Sequence, residues 1–439
     1  MKTKTKSVLG FLSFVGFSCL FIACSLAAQV RMDVELDKTY MLSEEKQTAY
    51  IRVGLTGFPM EEEDYRAPVN LAIVLDKSGS MKGEKIARAR NAAIMAIERM
   101  NPNDILSFIT YDNTVNVLIP ATRVSDKEAL FEMIRSIRAG GSTALFAGVS
   151  KGAAEARKFL SEDYANRVIL ISDGIANVGP SSPYQLGMLG ESLIKEGISV
   201  STIGLGLDYN EDLLAELALK SDGAHFFAKD ARDLANVFDR EFGRALSIVA
   251  QNLKINIRCE PGIRPVKVMG REYEVDGQNV SVLINQLYAE KEKMTILEVE
   301  IPPTYSGKER EIASVKLSYD NMKTKTKDKL GSSVSAHFTT SKSRVEENTN
   351  DKVMVDVVTQ IAVEKSQVAV KLRDEGKIDE ARKLFHGNAN YLELNAKKFN
   401  SKQLENYAGE QMMNADQVDK NWNLQRKNIT AGDVMRVRQ

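Results

Sequence analysis

The sequence predicts a doubly wound, mainly parallel α/β sheet covered by helices, together with a β-sandwich and a helical C-terminal segment. Two observations carry this prediction. In the middle of the chain, short continuous apolar runs alternate with stretches of helical spacing, which is typical of strands buried on both faces. On either side of that part, apolar and polar residues alternate with a period of two, which indicates half-buried strands. A chain of 439 residues is long enough for two or three such units.

The first residues have the composition of an export signal. Three lysines precede an apolar run at residues 8–23, which is shorter than the roughly 20 residues that a membrane-spanning helix needs. We therefore expect a signal at residues 1–28, with a retained membrane anchor as the alternative. Cleavage near Ala27 or Ala28 would release a soluble protein, whereas the residues ending at Cys24 resemble a loose bacterial lipobox, in which Cys24 is lipidated. We expect an exported protein, located in the periplasm or, as a lipoprotein, at the outer membrane or cell surface.

The charge balance and the cysteines exclude some classes of partner and fold. The 59 Lys and Arg residues match the 59 Asp and Glu residues, so no nucleic-acid-binding surface built on bulk positive charge is expected. Contact with a membrane is expected only through lipidation of Cys24. Apart from Cys19 and Cys24 in the signal, Cys259 is the only cysteine, and its alternating apolar surroundings predict a buried small hydrophobe.

The central part of the chain begins with a buried strand at residues 71–75, followed by a helical pattern at residues 86–100. Further strands are predicted from apolar runs at residues 105–109, 168–171 and 200–203, and further helices at residues 145–160 and 184–196. This alternation favours parallel strands that are joined through helices.

The period-two regions before and after the central part predict a single β-sandwich with the α/β domain inserted in it, and a sandwich that only follows the α/β domain is the alternative. The N-terminal strands are too few to form a core of their own, and the ends of an inserted domain tend to lie close together. The predicted units are a signal (1–28), N-terminal strands of the sandwich (29–66), an α/β domain (67–245), the remaining β-sandwich (246–340), a polar linker (341–352), and a helical hairpin with a tail (353–439). The polar composition of that tail does not predict whether it is folded or disordered.

Oxygen-bearing side chains follow the first buried strand of the central part. Asp76, Ser78 and Ser80 occupy every second position of a loop that leads into a helix, so their oxygens can converge on one point. Taken alone, such a triplet also suits ordinary helix caps and turns. Thr143, just ahead of a helix, and Asp173, after another buried strand, add two more oxygen donors. Because the loops at the carboxyl ends of neighbouring parallel strands meet over one crevice, we predict one site built from three loops.

These five residues, in this order, resemble the metal-ion-dependent adhesion site of the von Willebrand factor type A family, whose pattern is Asp-x-Ser-x-Ser, then Thr, then Asp. The resemblance covers residues 67–245 and implies a Rossmann-like domain. It also implies direct coordination of one cation by the hydroxyls, with the two carboxylates acting mostly through waters. The direct ligands would then be Ser78, Ser80 and Thr143, and the indirect ones Asp76 and Asp173.

The donor set indicates which cation and which partner to expect. Oxygen ligands without His or Cys favour Mg²⁺, with Mn²⁺ or Ca²⁺ as alternatives, over zinc or copper. Neutral inner ligands leave the cation much of its positive charge and one open position. A Glu or Asp carboxylate of a protein partner is the natural ligand for that position.

The sequence therefore predicts a metal-dependent, adhesion-type protein-binding module of the cell envelope. A scaffold or regulatory subunit of an envelope complex is the alternative, and a metal-dependent hydrolase is a third reading. No Gly-x-Ser-x-Gly elbow surrounds Ser78 or Ser80, and no histidine is placed by the sequence as a general base. We therefore expect no enzymatic activity.

Overall fold

The computed structural model describes residues 28–60 and 66–438. Of the predicted export signal only Ala28 falls within these ranges, so the signal and Cys24 lie outside the described residues. Every helix within the two described ranges is too short or too polar to cross a membrane.

Three strands open the described chain and six more build the central domain. The N-terminal strands are β1 (Arg31–Leu36), β2 (Tyr40–Leu42) and β3 (Gln47–Thr56). The central strands are β4 (Val69–Asp76), β5 (Ile105–Tyr111), β6 (Val115–Arg123), β7 (Ala165–Ser172), β8 (Ser199–Leu205) and β9 (His225–Ala228). The helices between and after them are α1 (Glu84–Glu98), α2 (Lys127–Arg135), α3 (Leu145–Ala156), α4 (Pro183–Lys195), α5 (Glu211–Lys220) and α6 (Ala231–Leu246).

The central sheet has the strand order β6-β5-β4-β7-β8-β9, and only β6 runs antiparallel to its neighbour. Along β4, Leu71, Ile73 and Leu75 pack with α1, α2 and α6, whereas Ala72 and Val74 pack with α3, α4 and α5. Every residue of β4 is therefore buried, which explains its unbroken apolar run. The predicted doubly wound fold class is confirmed.

The path of the chain through this sheet creates one crevice. From β4 the chain moves to β5 and β6 on one side and then returns to β7 on the other side. The strand order thus reverses between β4 and β7, which end at Asp76 and Ser172. Ligands of open α/β sheets bind outside the carboxyl ends of the strands at such a reversal.

The remaining strands form a two-layer sandwich with the N-terminal ones. They are β10 (Ile248–Cys259), β11 (Arg264–Met269), β12 (Tyr273–Asp276), β13 (Asn279–Tyr288), β14 (Glu292–Ile301), β15 (Glu309–Asn321) and β16 (Thr326–Thr339). One sheet has the order β1-β3-β14-β11 and the other β12-β13-β10-β15-β16-β2. Alternate residues such as Ile51, Val53, Leu253 and Ile255 fill the core between them, and Cys259 is buried there as a free thiol. The α/β domain is therefore inserted into the sandwich.

The C-terminal part contains more helix than the predicted linker, hairpin and tail. Its helices are α7 (Lys342–Glu347), α8 (Asp351–Asp374), α9 (Ile378–Lys398), α10 (Lys402–Gln417) and α11 (Trp422–Arg438). The predicted polar linker at residues 341–352 contains the helix α7, whose first turn is capped by the side chain of Ser341. The tail, whose order the composition did not predict, is helical. Its sparse apolar residues, such as Leu404 and Tyr407, share one core with α8 and α9. A polar composition concealed these helices, since their outer faces are solvated.

Buried charges join the three units into one body. Asp222, after α5, accepts hydrogen bonds from Arg271 and Lys293 of the sandwich and from Arg438 at the end of α11. Burial acts to raise the pKa of Asp222, but the charges of Lys293, Arg271 and Arg438 outweigh it and hold the pKa below its usual range. A single carboxylate thus ties the α/β domain to both neighbours.

Candidate metal centre

Asp76 forms the floor of the crevice. Its Oδ1 accepts a hydrogen bond from the Ser78 backbone N–H at 2.8 Å, and its Oδ2 accepts one from the Ser172 hydroxyl at 2.8 Å. The side chain is fully buried at the end of β4. Both carboxylate oxygens are therefore fixed before any ligand arrives.

The two serines of the first loop lie directly above this carboxylate. A 3-10 turn at Gly79–Met81 places the Oγ atoms of Ser78 and Ser80 3.0 Å apart. The Ser80 hydroxyl also donates to Oδ1 of Asp173 at 2.6 Å, which joins the first loop to the third. Ser78 is buried but Ser80 is exposed, so the crevice has a closed floor and an open mouth.

The second loop contributes Thr143, which is held by its backbone. Its N–H donates to Oδ1 of Asn177 at 2.9 Å, and its carbonyl accepts from the Asn177 N–H at 3.2 Å. The first two loops are joined where the Gly79 N–H donates to the Gly141 carbonyl at 2.9 Å. Three loops of the chain are thus bonded to one another around the crevice.

Gly174 shows how closely the oxygens of the three loops approach one another. A Cβ atom at this position would lie 3.0 Å from Thr143 Oγ1, 3.5 Å from Ser80 Oγ and 3.6 Å from Asp76 Oδ2. The glycine therefore keeps open a small space that one donor from each of these residues lines. The structure brings all five predicted site residues together in one crevice.

The site carries buried negative charge. Burial raises the pKa of Asp76 to about 6; hydrogen bonds from Ser78 and Ser172 oppose this rise, and the charge of Asp173 adds to it. Asp173 is also fully buried, and its Oδ2 accepts a hydrogen bond from Nζ of Lys85 at 2.5 Å. Two buried carboxylates with one ammonium leave a deficit of positive charge, which a bound cation would fill.

The donor chemistry fits a hard cation. Hydroxyl and carboxylate oxygens are the ligands of Mg²⁺, Mn²⁺ and Ca²⁺. Within residues 28–60 and 66–438, no group of three or more His, Cys, Asp or Glu side chains is arranged to hold a metal. The nearby Tyr111 hydroxyl is buried without a hydrogen-bond partner among these residues, and burial and then the charge of Asp76 raise its pKa.

Sequence reasoning missed several residues that shape the site. Ser172 and Gly174 flank Asp173 in the chain, so their proximity could have been expected from position alone. Lys85 gave no signal, because a lysine in the first turn of a helix is most simply a solvated surface residue. Asn177 lies in a loop whose course the residue types do not determine.

The comparison with protein families bears on the central domain. The model of the von Willebrand factor type A domain matches residues 70–240. The chain contains a von Willebrand factor type A domain. This type A domain coincides with the six-stranded sheet and the helices α1 to α6, and its three crevice loops carry the five residues described above.

Curated relatives match part of this chain. An uncharacterized protein of Synechocystis sp. is 26% identical over 271 residues, which are 60% of this chain and 64% of the relative. The inter-alpha-trypsin inhibitor heavy chain H3 of Homo sapiens is 30% identical over 165 residues, 36% of this chain and 18% of the relative. The chain thus spans less than two thirds of the length of either relative.

Solved structures resemble the molecule beyond the type A domain. A von Willebrand factor type A protein from Catenulispora acidiphila superposes with a TM-score of 0.72 at 16% identity, over 87% of this chain and 90% of that one. The ArnB paralog VWA2 from Sulfolobus acidocaldarius gives 0.66 at 19% identity, over 94% and 98%. At these identities the likeness concerns the fold, and its extent includes much of the sandwich and the C-terminal helices.

Proposed function

We propose that this protein binds one divalent cation in the crevice of the type A domain and uses it to capture an acidic side chain of a partner protein. The observation that carries this proposal is the convergence of donors from three loops around the space beside Gly174. Ser78, Ser80 and Thr143 would hold the cation directly, and Asp76 and Asp173 would balance its charge. Mg²⁺ is the expected ion, with Mn²⁺ or Ca²⁺ as alternatives.

The arrangement of charges supports a carboxylate as the captured group. Neutral hydroxyls donate electron density weakly, so a cation that they hold attracts an external anion strongly. The buried floor at Asp76 admits no second protein, whereas the exposed side at Ser80 does. A bound cation would supply an electrophilic centre at that mouth, and the protein residues would orient it and exclude competing ligands from below.

Binding rather than catalysis is the expected activity. The hydroxyls of Ser78 and Ser80 bond to each other and to Asp173, and none of the three histidines bonds to them. His225 is buried against Thr202, His337 lies in β16, and His386 lies in α9. Neither Ser78 nor Ser80 therefore has a histidine as general base, which a serine nucleophile commonly requires. We propose a non-enzymatic module, exported to the periplasm or held by a lipid on Cys24.

A scaffold or regulatory subunit of an envelope complex is the second candidate. The buried ion pairs of Asp222, and the packing of α11 on the type A domain, favour it because they fix the crevice relative to the sandwich and helices. Such rigidity suits a protein that holds a partner in one orientation.

Crosslinking with mass spectrometry on whole cells that express the full chain tests the proposal. Wild type should crosslink to a protein partner, and both EDTA and Thr143→Val should abolish that crosslink. Ser142→Ala, which removes a neighbouring hydroxyl, should leave it intact. A stoichiometric envelope partner favours the scaffold, external surface proteins favour adhesion, and crosslinks that survive EDTA and Thr143→Val contradict metal-dependent capture.

A further inference from the structure

Three large aliphatic side chains are exposed beside the crevice. Ile175 is 61% exposed, Val178 38% and Leu207 40%. Single exposed aliphatic residues are ordinary on protein surfaces, but a group of them around a candidate site marks an interaction surface. We call these three residues the apolar rim.

The strand register places the apolar rim in loops at the same edge of the sheet as the candidate metal ligands. Ser172 of β7 pairs with Gly204 of β8. Ile175 comes three residues after Ser172 and Leu207 three residues after Gly204, so both lie in the loops that leave this edge of the sheet. Val178 donates its backbone N–H to the Thr143 carbonyl at 3.3 Å. The rim therefore borders the two loops that carry Asp173 and Thr143.

A second relationship connects Leu207 to the crevice. A Cβ atom at the preceding residue, Gly206, would lie 3.5 Å from Nζ of Lys85, and the same Nζ is bonded to Asp173. Leu207 thus lies one residue beyond a position that contacts the crevice lysine. The loop that carries Leu207 therefore approaches the crevice through Lys85.

The rim is held in place by its anchored neighbours. Asn177 is bonded to Thr143, and Ala176 is buried between Ile175 and Asn177. On the other loop, the Tyr209 carbonyl accepts a hydrogen bond from the buried ammonium of Lys427 at 2.8 Å. Apolar side chains on fixed backbone lose little entropy when a partner covers them, which favours binding.

From this juxtaposition we propose that the type A domain recognises an acidic side chain that has a large aliphatic residue next to it or next but one in a partner protein. The proposal rests on the proposed function, since the acid would bind the cation. The charge is complementary, because the cation and Lys85 attract the carboxylate, while the rim offers only apolar surface. An extended peptide rises about 3.3 Å per residue, so a residue one or two positions from the acid lies within about 7 Å of it along the chain.

Synthetic peptides on a biosensor surface test the proposal with the purified protein in magnesium buffer. One set places Leu next to or next but one to Glu in a Gly background, and the matched set replaces that Leu by Ser. Wild type should bind the Leu set roughly tenfold more tightly, the scale of burying one aliphatic side chain. The double variant Ile175→Ser/Leu207→Ser should lose this preference and still bind magnesium as wild type does in calorimetry.

Val275→Ser provides the matched control, because Val275 is 51% exposed on β12 of the sandwich, away from the crevice. It should keep the full preference for Leu. If wild type binds both peptide sets equally and in a magnesium-dependent way, recognition through the apolar rim is contradicted, whereas the proposed function is not. If no acidic peptide binds in a magnesium-dependent way, the proposed function fails as well.

Discussion

Lys85 donates a hydrogen bond from Nζ to Oδ2 of Asp173 across 2.5 Å, at the edge of the candidate metal centre. The lysine lies in the first turn of α1 and is 28% exposed, whereas the carboxylate is fully buried. Its ammonium therefore neutralises part of the charge that a divalent cation would otherwise neutralise alone. The relationship makes Lys85 an internal competitor of the cation.

Removing this competitor should tighten metal binding. Lys85→Met keeps the length of the side chain and deletes its charge, so we expect about tenfold higher Mg²⁺ affinity in titration calorimetry, from lost Coulomb repulsion. Lys82→Met removes an exposed lysine nearby and should change the affinity little, since solvent and salt screen that charge. Unchanged or weaker binding by Lys85→Met would contradict the competition.

Gly174 should be intolerant of any side chain. In Gly174→Ala the new Cβ would lie 3.0 Å from Thr143 Oγ1, tighter than nine in ten such contacts, so the hydroxyl must shift by a few tenths of an ångström. We expect Mg²⁺ affinity to fall at least about tenfold, while circular dichroism shows an unchanged fold. Gly140→Ala, whose Cβ would meet open space, is the control and should bind as wild type does. Equal affinities in the two variants would show that the crevice has more room than described.

Much of the central domain could be predicted because the burial of its strands is visible in short stretches of the sequence. The run at residues 71–75 is apolar throughout since helices cover both of its faces, and that pattern indicates a parallel strand directly. The loop positions of Asp76 and Asp173 follow from the strand ends. Lys85 could not be predicted in the same way, since nothing local tells which way a lysine on a helix will turn.

The C-terminal helices were harder to predict because their stabilising contacts are distant in sequence. Lys427 is 1% exposed and donates to Glu211 at 2.6 Å, although 216 residues separate the two. Arg438 reaches Asp222 over a similar separation. A polar segment whose charges are buried by partners elsewhere in the chain has the same composition as a disordered tail.

Asp222 should be the most sensitive carboxylate of the junction between the three units. Asp222→Asn keeps the side-chain shape and tolerates the positive φ of 54°, but it leaves Arg271, Lys293 and Arg438 without their common anion. We expect the free energy of unfolding to fall by about 3–5 kcal/mol. Urea denaturation followed by the fluorescence of the single tryptophan, Trp422 in α11, measures it.

The control for this loss is Asp379→Asn, because Asp379 is 85% exposed and its ion pair is solvated. Its stability should stay within about 0.5 kcal/mol of wild type. Equal stabilities of the two variants would show that the Asp222 cluster does not hold the units together.

His225 should make stability depend on pH. Burial lowers the pKa of His225 to about 3, whereas an unfolded histidine has a pKa of about 6.5. Between these values the unfolded chain binds a proton that the native chain does not, so stability falls as the pH falls from about 6.5, by up to about 1.4 kcal/mol per pH unit.

The variant His225→Asn carries no titrating group and can still bond to Thr202, so its unfolding free energy should fall less steeply between about pH 7 and pH 5. His337→Asn replaces an exposed histidine and should retain the slope of wild type. Identical slopes in wild type and His225→Asn would exclude the buried imidazole as the source.

Titration calorimetry of Mg²⁺ into the purified protein tests the central claim most directly. Wild type and the control Ser142→Ala should each take up about one ion per chain, and Thr143→Val, which keeps the shape but removes one predicted ligand, should bind far more weakly. Wild type that takes up no Mg²⁺, Mn²⁺ or Ca²⁺, or Thr143→Val that binds as tightly as Ser142→Ala, would contradict a cation held by these three loops.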